Sequence, residues 1–272
     1  MARGARCVGG ERGAGPHLGR VKVLRLGQSD QRIGGVPEHA RTWYVAGEVL
    51  ARATGEPVET VLREIWPEPS LPDLVDRWIE RYQPDLVFMK TNDYWVCTQS
   101  VPLRLQRKFG RPGKSAGALG KRMADVPRIA HTRLFKAGRL AMLRTIGGDR
   151  YFEPEDVVAT LEACLRRIVT HEAVVPVVSG SVGMLHPPYG WGGERQAIAR
   201  RTAVHEGMAR VCAQLHVAYT GRAGVIGKDE YAGLIGGDGL HRNEAGQRAA
   251  GEAEGEQMVR AWLAAREGRV PN

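Results

Sequence analysis

Short apolar runs and longer amphipathic stretches alternate along this chain. VKVLRLG (21–27) is β-branched, apolar and closed by Gly27, the pattern of a buried strand. Residues 38–54 have helical spacing. PVETVLREIW (57–66) reads either way by pattern, and its place between two helices makes it a strand. SLPDLVDRWIERY (70–82) predicts a helix with Ser70 as N-cap and Leu74, Val75, Trp78, Ile79 and Tyr82 on one face. PDLVFMK (84–90) is a second clear strand. A helix with an acidic first turn follows at 153–171, then a strand at 173–180, a helix at 193–215, a strand at 216–221 and a last helix at 243–266. Five strand–helix alternations predict an α/β fold, a parallel sheet of about five strands covered on both faces. In such sheets ligands bind beyond the carboxyl ends of the strands, so the residues that follow each strand are the informative ones.

Composition fits that frame. The chain has 272 residues, 43% of them hydrophobic, enough for a sizeable core. Its opening twenty residues, rich in Gly and Arg, read as a disordered leader or an upstream extension of the true start, with the folded domain over 21–272. They lack the apolar middle of a secretory signal, and no apolar run approaches the ~20 residues of a membrane span. The four cysteines form no C-x-x-C pair, which argues against a zinc site or disulfide framework and for a reducing compartment. A cytoplasmic location is the default.

Charge is unevenly placed. The formal net charge is +9, yet residues 101–150 hold 13 Lys and Arg against 2 Asp and Glu, and the remainder 26 against 28. This basic segment follows the third strand, at the edge where ligands bind, and reads as a cap or insertion. It suits an anionic substrate, a lipid surface or a solvated face. Within it, residues 131–144 have the spacing of an amphipathic helix. GRPGKSAGALGKR (110–122) resembles a phosphate loop only superficially: position 108 is Lys where that motif needs Gly, and no strand precedes it. Neither nucleotide nor nucleic-acid binding is expected.

Candidate chemistry collects at the strand ends. Ser29 follows the first strand in GQSDQ, Asn92 follows the third in KTNDYW, and Asp238 and His241 follow the fifth in GDGLH. A serine hydroxyl needs a base, the base needs a partner that fixes its tautomer, and the developing oxyanion needs donors. These four residues supply one of each. Each also has an ordinary reading, as turn residue, Asx-turn or helix cap. His186 and Tyr189, after the fourth strand, are candidate substrate-pocket residues. His131, His171, His205 and His216 lack ligand-type spacing.

In these residues the chain resembles the SGNH/GDSL hydrolase family. The resemblance spans roughly 21–266 and rests most specifically on DGLHRNEAG. It implies a flavodoxin-like three-layer sandwich, Ser29 as nucleophile, His241 as base, Asp238 as its orienting acid and Asn92 as oxyanion donor, with no cofactor or metal. Three positions depart from the family pattern. Gln28 replaces the acid before the serine. Lys90 replaces the glycine before the Asn-Asp pair and adds a positive group there, a candidate substrate contact. The loop after the second strand, WPEPS (66–70), lacks the glycine whose N–H joins the oxyanion hole, and the N–H of Glu68 is the candidate substitute. The implied reaction is hydrolysis of a small-molecule, carbohydrate or lipid ester through an acyl-enzyme. Acyl transfer by the same residues and non-catalytic binding of an anionic ligand are the alternatives.

Overall fold

The computed structural model of the chain describes residues 19–27, 36–110, 132–180, 194–221, 233–234 and 242–268. Five parallel strands form one sheet: β1 (Val21–Gly27), β2 (Val58–Glu64), β3 (Leu86–Lys90), β4 (Val175–Ser179) and β5 (Ala218–Thr220), in spatial order β2-β1-β3-β4-β5. The α-helices that accompany them include α1 (Thr42–Thr54), α2 (Leu71–Tyr82), α3 (Tyr94–Cys97), α4 (101–110), α5 (Arg133–Thr145), α6 (Pro154–Ile168), α7 (Glu194–Gln214) and α8 (Glu244–Arg266). All strand boundaries lie within two residues of those expected; β2 ends at Glu64, and Ile65 continues the ladder by a single bond to the Gly27 carbonyl.

The two-residue period of a strand explains the layers. Val21, Val23, Leu86, Phe88 and Val177 point to one face and pack with Ala46 and Leu50 of α1 and Met258, Ala261 and Trp262 of α8. Leu24, Leu26, Val87, Met89 and Val178 point to the other, against α2, α6 and α7 through Val75, Ile79, Leu161, Leu165, Val204 and Met208. Two apolar cores therefore sandwich the sheet. Pro176 is tolerated in β4 because pairing with β5 begins only at Val177, so the missing N–H falls where that side of β4 has no neighbour.

α1 and α8 pack closely because α8 carries glycine at its contact face. A Cβ on Gly251 would stand 2.6 Å from the Val45 Cβ, and one on Gly255 2.6 Å from the Val49 Cβ. Asn243 caps α8, its side chain accepting from the Gly246 N–H at 2.9 Å. Ser70 adopts helical angles and makes no side-chain cap bond, so α2 starts without the cap its sequence suggests. Its first turn is closed instead by the Leu71 N–H donating to the Glu68 carbonyl.

Ser100 and Asp149 pair as an isolated antiparallel bridge, with N–H···O distances of 2.8 and 3.2 Å, and close the base of the basic excursion that carries α4 and α5. Asp149 also receives Arg104 and Arg107, so part of the positive surplus is met locally. Phe109, Leu134 and Met142 are exposed on these helices rather than packed onto the domain. No helix among the described residues is long and apolar enough to cross a membrane.

Candidate functional site

The chain leaves β1, visits β2 on one side and then crosses to β3 on the other, so the β1/β3 seam is the switch point at which open α/β sheets bind ligands. Leu26 is in register with Met89. Asn92 follows Met89 by three residues, as position 29 follows Leu26. Ser29, Asp238, His241, His186 and Tyr189 lie outside the described residues, so of the expected site the structure describes Asn92 and Lys90.

Asn92 is held from both sides along the chain. The Thr91 N–H donates to the Ser179 carbonyl at 2.9 Å, extending the β3–β4 ladder one residue past β3. The Asn92 carboxamide oxygen accepts the Tyr94 N–H at 2.8 Å, an Asx-turn that starts α3. With the oxygen so engaged, the amide nitrogen keeps two donors that bond to no described residue. A carboxamide presenting N–H groups at the switch point has the polarity an oxyanion requires.

Lys90 does not offer a cation to a substrate. It shares the parity of Leu86 and Phe88, so its side chain enters the α8 layer, where the ammonium lies 3.2 Å from Glu254 and the side chain is 8% exposed. Arg25, on the same face of β1, pairs with the other Glu254 oxygen and lies over the Phe88 ring at 4.5 Å. Burial pushes the Glu254 carboxyl up, and the charges of Arg25, Lys90 and Arg242 outweigh it, bringing it down to about 2. The Glu68 N–H is also committed, donating to the Trp66 carbonyl at 2.7 Å, so it is not the replacement for the missing glycine.

Three groups at this edge were given no role by sequence reasoning. Asp93, next to Asn92, is buried against α7: its Oδ2 lies 3.0 Å from Arg201 Nε, and its Oδ1 4.0 Å from His205 Nε2. The Arg201 N–H is not aimed along that contact, so the pair is ionic rather than an aligned hydrogen bond. His205 Nδ1 and the Tyr219 hydroxyl are 2.7 Å apart. Burial lowers the His205 pKa against the pull of Asp93 and keeps the ring neutral, and the same cause raises Tyr219. His205 Nε2 makes no hydrogen bond to a described residue. Gly180 and Gly221 make room for this pair: a Cβ on Gly180 would fall 2.4 Å from His205 Cε1, and one on Gly221 2.4 Å from the Tyr219 oxygen. Trp66, Tyr94 and Tyr151 form a half-buried aromatic wall on the other side, with ring centroids 5.6–6.3 Å apart.

A shallow cavity of about 200 Å³, lined by Lys22, Glu59, Arg81 and Pro84 among others, lies at the amino-terminal ends of the strands. It is smaller than the ~300 Å³ of ordinary ligand pockets and far from these groups. The carboxyl edge is the better candidate.

Among solved structures, the chain is similar to the psychrotrophic esterase EstA from Pseudoalteromonas sp., solved inhibited by monoethylphosphonate, with 13% identity, 89% of this chain and 98% of that one covered, and a TM-score of 0.50. The chain shares the α/β fold of that esterase. The inhibitor-bound aryl esterase of M. smegmatis is similar to the same degree, with 15% identity over 88% of this chain and 98% of that one and a TM-score of 0.50. No family model and no curated protein matches the sequence. At this identity the likeness is one of fold, and in this fold Asn92 stands just beyond the end of β3.

Proposed function

We propose that the protein is a serine hydrolase that cleaves a small-molecule ester. The observation that carries the reading is the Asn92 carboxamide, whose oxygen is engaged by the Tyr94 N–H and whose amide nitrogen is left to donate at the β1/β3 switch point. Ser29 attacks the ester carbonyl, and His241 takes its proton and returns it to the leaving alcohol. Asp238 orients the imidazole and stabilises its charged form. Asn92 and the Ser29 N–H stabilise the oxyanion of each tetrahedral intermediate, and water then releases the acyl group. The fold shared with EstA and the aryl esterase supports the ester as substrate class.

The test is labelling by a fluorophosphonate together with turnover of p-nitrophenyl acetate. Wild-type protein is labelled at Ser29. Ser29→Ala keeps its circular dichroism, is not labelled, and loses activity by the ~10⁴–10⁶-fold typical of removing a serine nucleophile. A folded Ser29→Ala variant that retains most of its activity refutes the assignment.

A further inference from the structure

We propose that Asp93 is a positioning residue for the reaction, fixed by Arg201 of α7 so that the adjoining Asn92 carboxamide faces the oxyanion. The inference rests on Asn92 as the oxyanion donor and adds a second layer of residues behind it.

Two anchors bracket Asn92. On its N-terminal side the Thr91 N–H is tied to β4. On its C-terminal side the Asp93 side chain is only 6% exposed and is pinned to Arg201, itself 4% exposed. One residue thus sits between two fixed neighbours, and its backbone has little freedom left. The side-chain torsions are then set by the Asx-turn to Tyr94. If Asp93 swings, the turn that holds the carboxamide swings with it.

The clamp is built from several independent pieces. Arg200, beside Arg201 in α7, donates to the Val96 carbonyl at 2.8 Å and to the Phe152 carbonyl at 2.9 Å, gripping the other end of α3. The Cys97 thiol reaches the Ala197 carbonyl at 3.4 Å. Behind this contact stands the His205–Tyr219 pair, with His205 Nε2 4.0 Å from Asp93, in space that Gly180 and Gly221 leave free. A buried carboxylate is costly unless paired, and a merely structural ion pair could occupy any point of the α3–α7 contact. This one occupies the residue covalently next to the donor.

A double-mutant cycle on kcat separates positioning from structural support. Asn92→Ala lowers kcat by about 10²–10³-fold. Asp93→Asn alone lowers kcat by about 10–10²-fold, the scale of a misplacement near 1 Å, with KM little changed. In the Asn92→Ala background the same Asp93→Asn change lowers kcat by less than about twofold, since the group it positions is gone. Arg201→Met reproduces the Asp93→Asn loss, and Arg201→Lys, which keeps the cation, regains part of it. If Asp93→Asn does not fold, the two Arg201 variants carry the cycle. Equal losses from Asp93→Asn or Arg201→Met with and without Asn92, or no loss from either, overturn the positioning role and leave the donor role standing. An Asn92→Ala protein with wild-type kcat overturns both.

Discussion

Replacing Glu254 by Gln removes one negative charge from a place where two positive ones are buried. The Glu254 side chain is 4% exposed, that of Arg25 1% and that of Lys90 8%. The three groups carry a net charge of +1, and in the variant +2. Removing one partner of a buried ion pair typically costs about 3–5 kcal/mol, because the other charge remains buried. The neighbouring charges hold the Glu254 carboxyl down at about 2. A loss of ~3 kcal/mol is a large share of the ~5–15 kcal/mol of a typical domain. At ~2–4 °C per kcal/mol for chains near this size, Tm should fall by about 6–12 °C at pH 7, read by circular dichroism. The pH dependence has a defined sign. The folded pKa lies below the unfolded one, so the stabilisation is complete above the unfolded value near 4.5 and is lost as pH falls toward 2. The gap between wild type and Glu254→Gln should therefore narrow between pH 5 and pH 3. A Glu254→Gln protein melting within about 2 °C of wild type at pH 7, or a gap that stays constant down to pH 3, refutes the reasoning.

Gly255→Ala should destabilise the protein by about 1–3 kcal/mol in a urea melt, because the added methyl meets the Val49 Cβ at 2.6 Å and the Ala46 carbonyl at 3.0 Å and so forces α1 and α8 apart. That exceeds the ~1 kcal/mol that alanine gains over glycine in a helix, and a variant as stable as wild type would show that the helices separate freely. For the basic segment, kcat/KM on an anionic ester should fall as salt rises from ~0.01 to 1 M, the Debye length shrinking from ~30 to ~3 Å, while a neutral ester of the same acyl group changes little. Lys108→Glu combined with Arg144→Glu, both exposed, should erase the difference, and identical responses of the two esters would make the segment a solvated face.

The layers were legible because each strand is a short apolar run and each helix a longer periodic one. LVFM in β3 is buried on both faces, the short continuous apolar run of a central strand. Strand order was legible only as a class, since the turn back from β2 to β3 across β1 depends on contacts far apart in sequence. Lys90 shows where local reading failed and why. Beside a candidate oxyanion donor it looked like a cation for substrate, but its direction is decided by the period of the strand, which groups it with Phe88 and aims it at α8. The period was available in the sequence. Its partner, Glu254, was not, because 164 positions separate them. Glu68 failed for a related reason: the WPEPS loop shows which N–H groups exist and says nothing about which are already bonded.

Arg201 and His205 make the sharper case. Judged by ligand spacing, a histidine four residues after an arginine in a helix has no chemistry to offer. Judged by the helix period, Ala197, Arg201, Val204, Met208 and Val211 form one stripe, with His205 and Cys212 beside it, and every one of these residues is buried. An arginine in the middle of an apolar stripe cannot be left unpaired, since an isolated buried charge is prohibitively costly. The stripe therefore requires a buried anion on whatever α7 packs against. An Asx-turn needs only the Asn92 side chain, so the acid that follows it is free to be that anion, and Asp93 is. The sequence signal for the layer behind the candidate site is thus a charged residue in an apolar stripe on α7, paired with an acid that the Asx-turn beside it does not require.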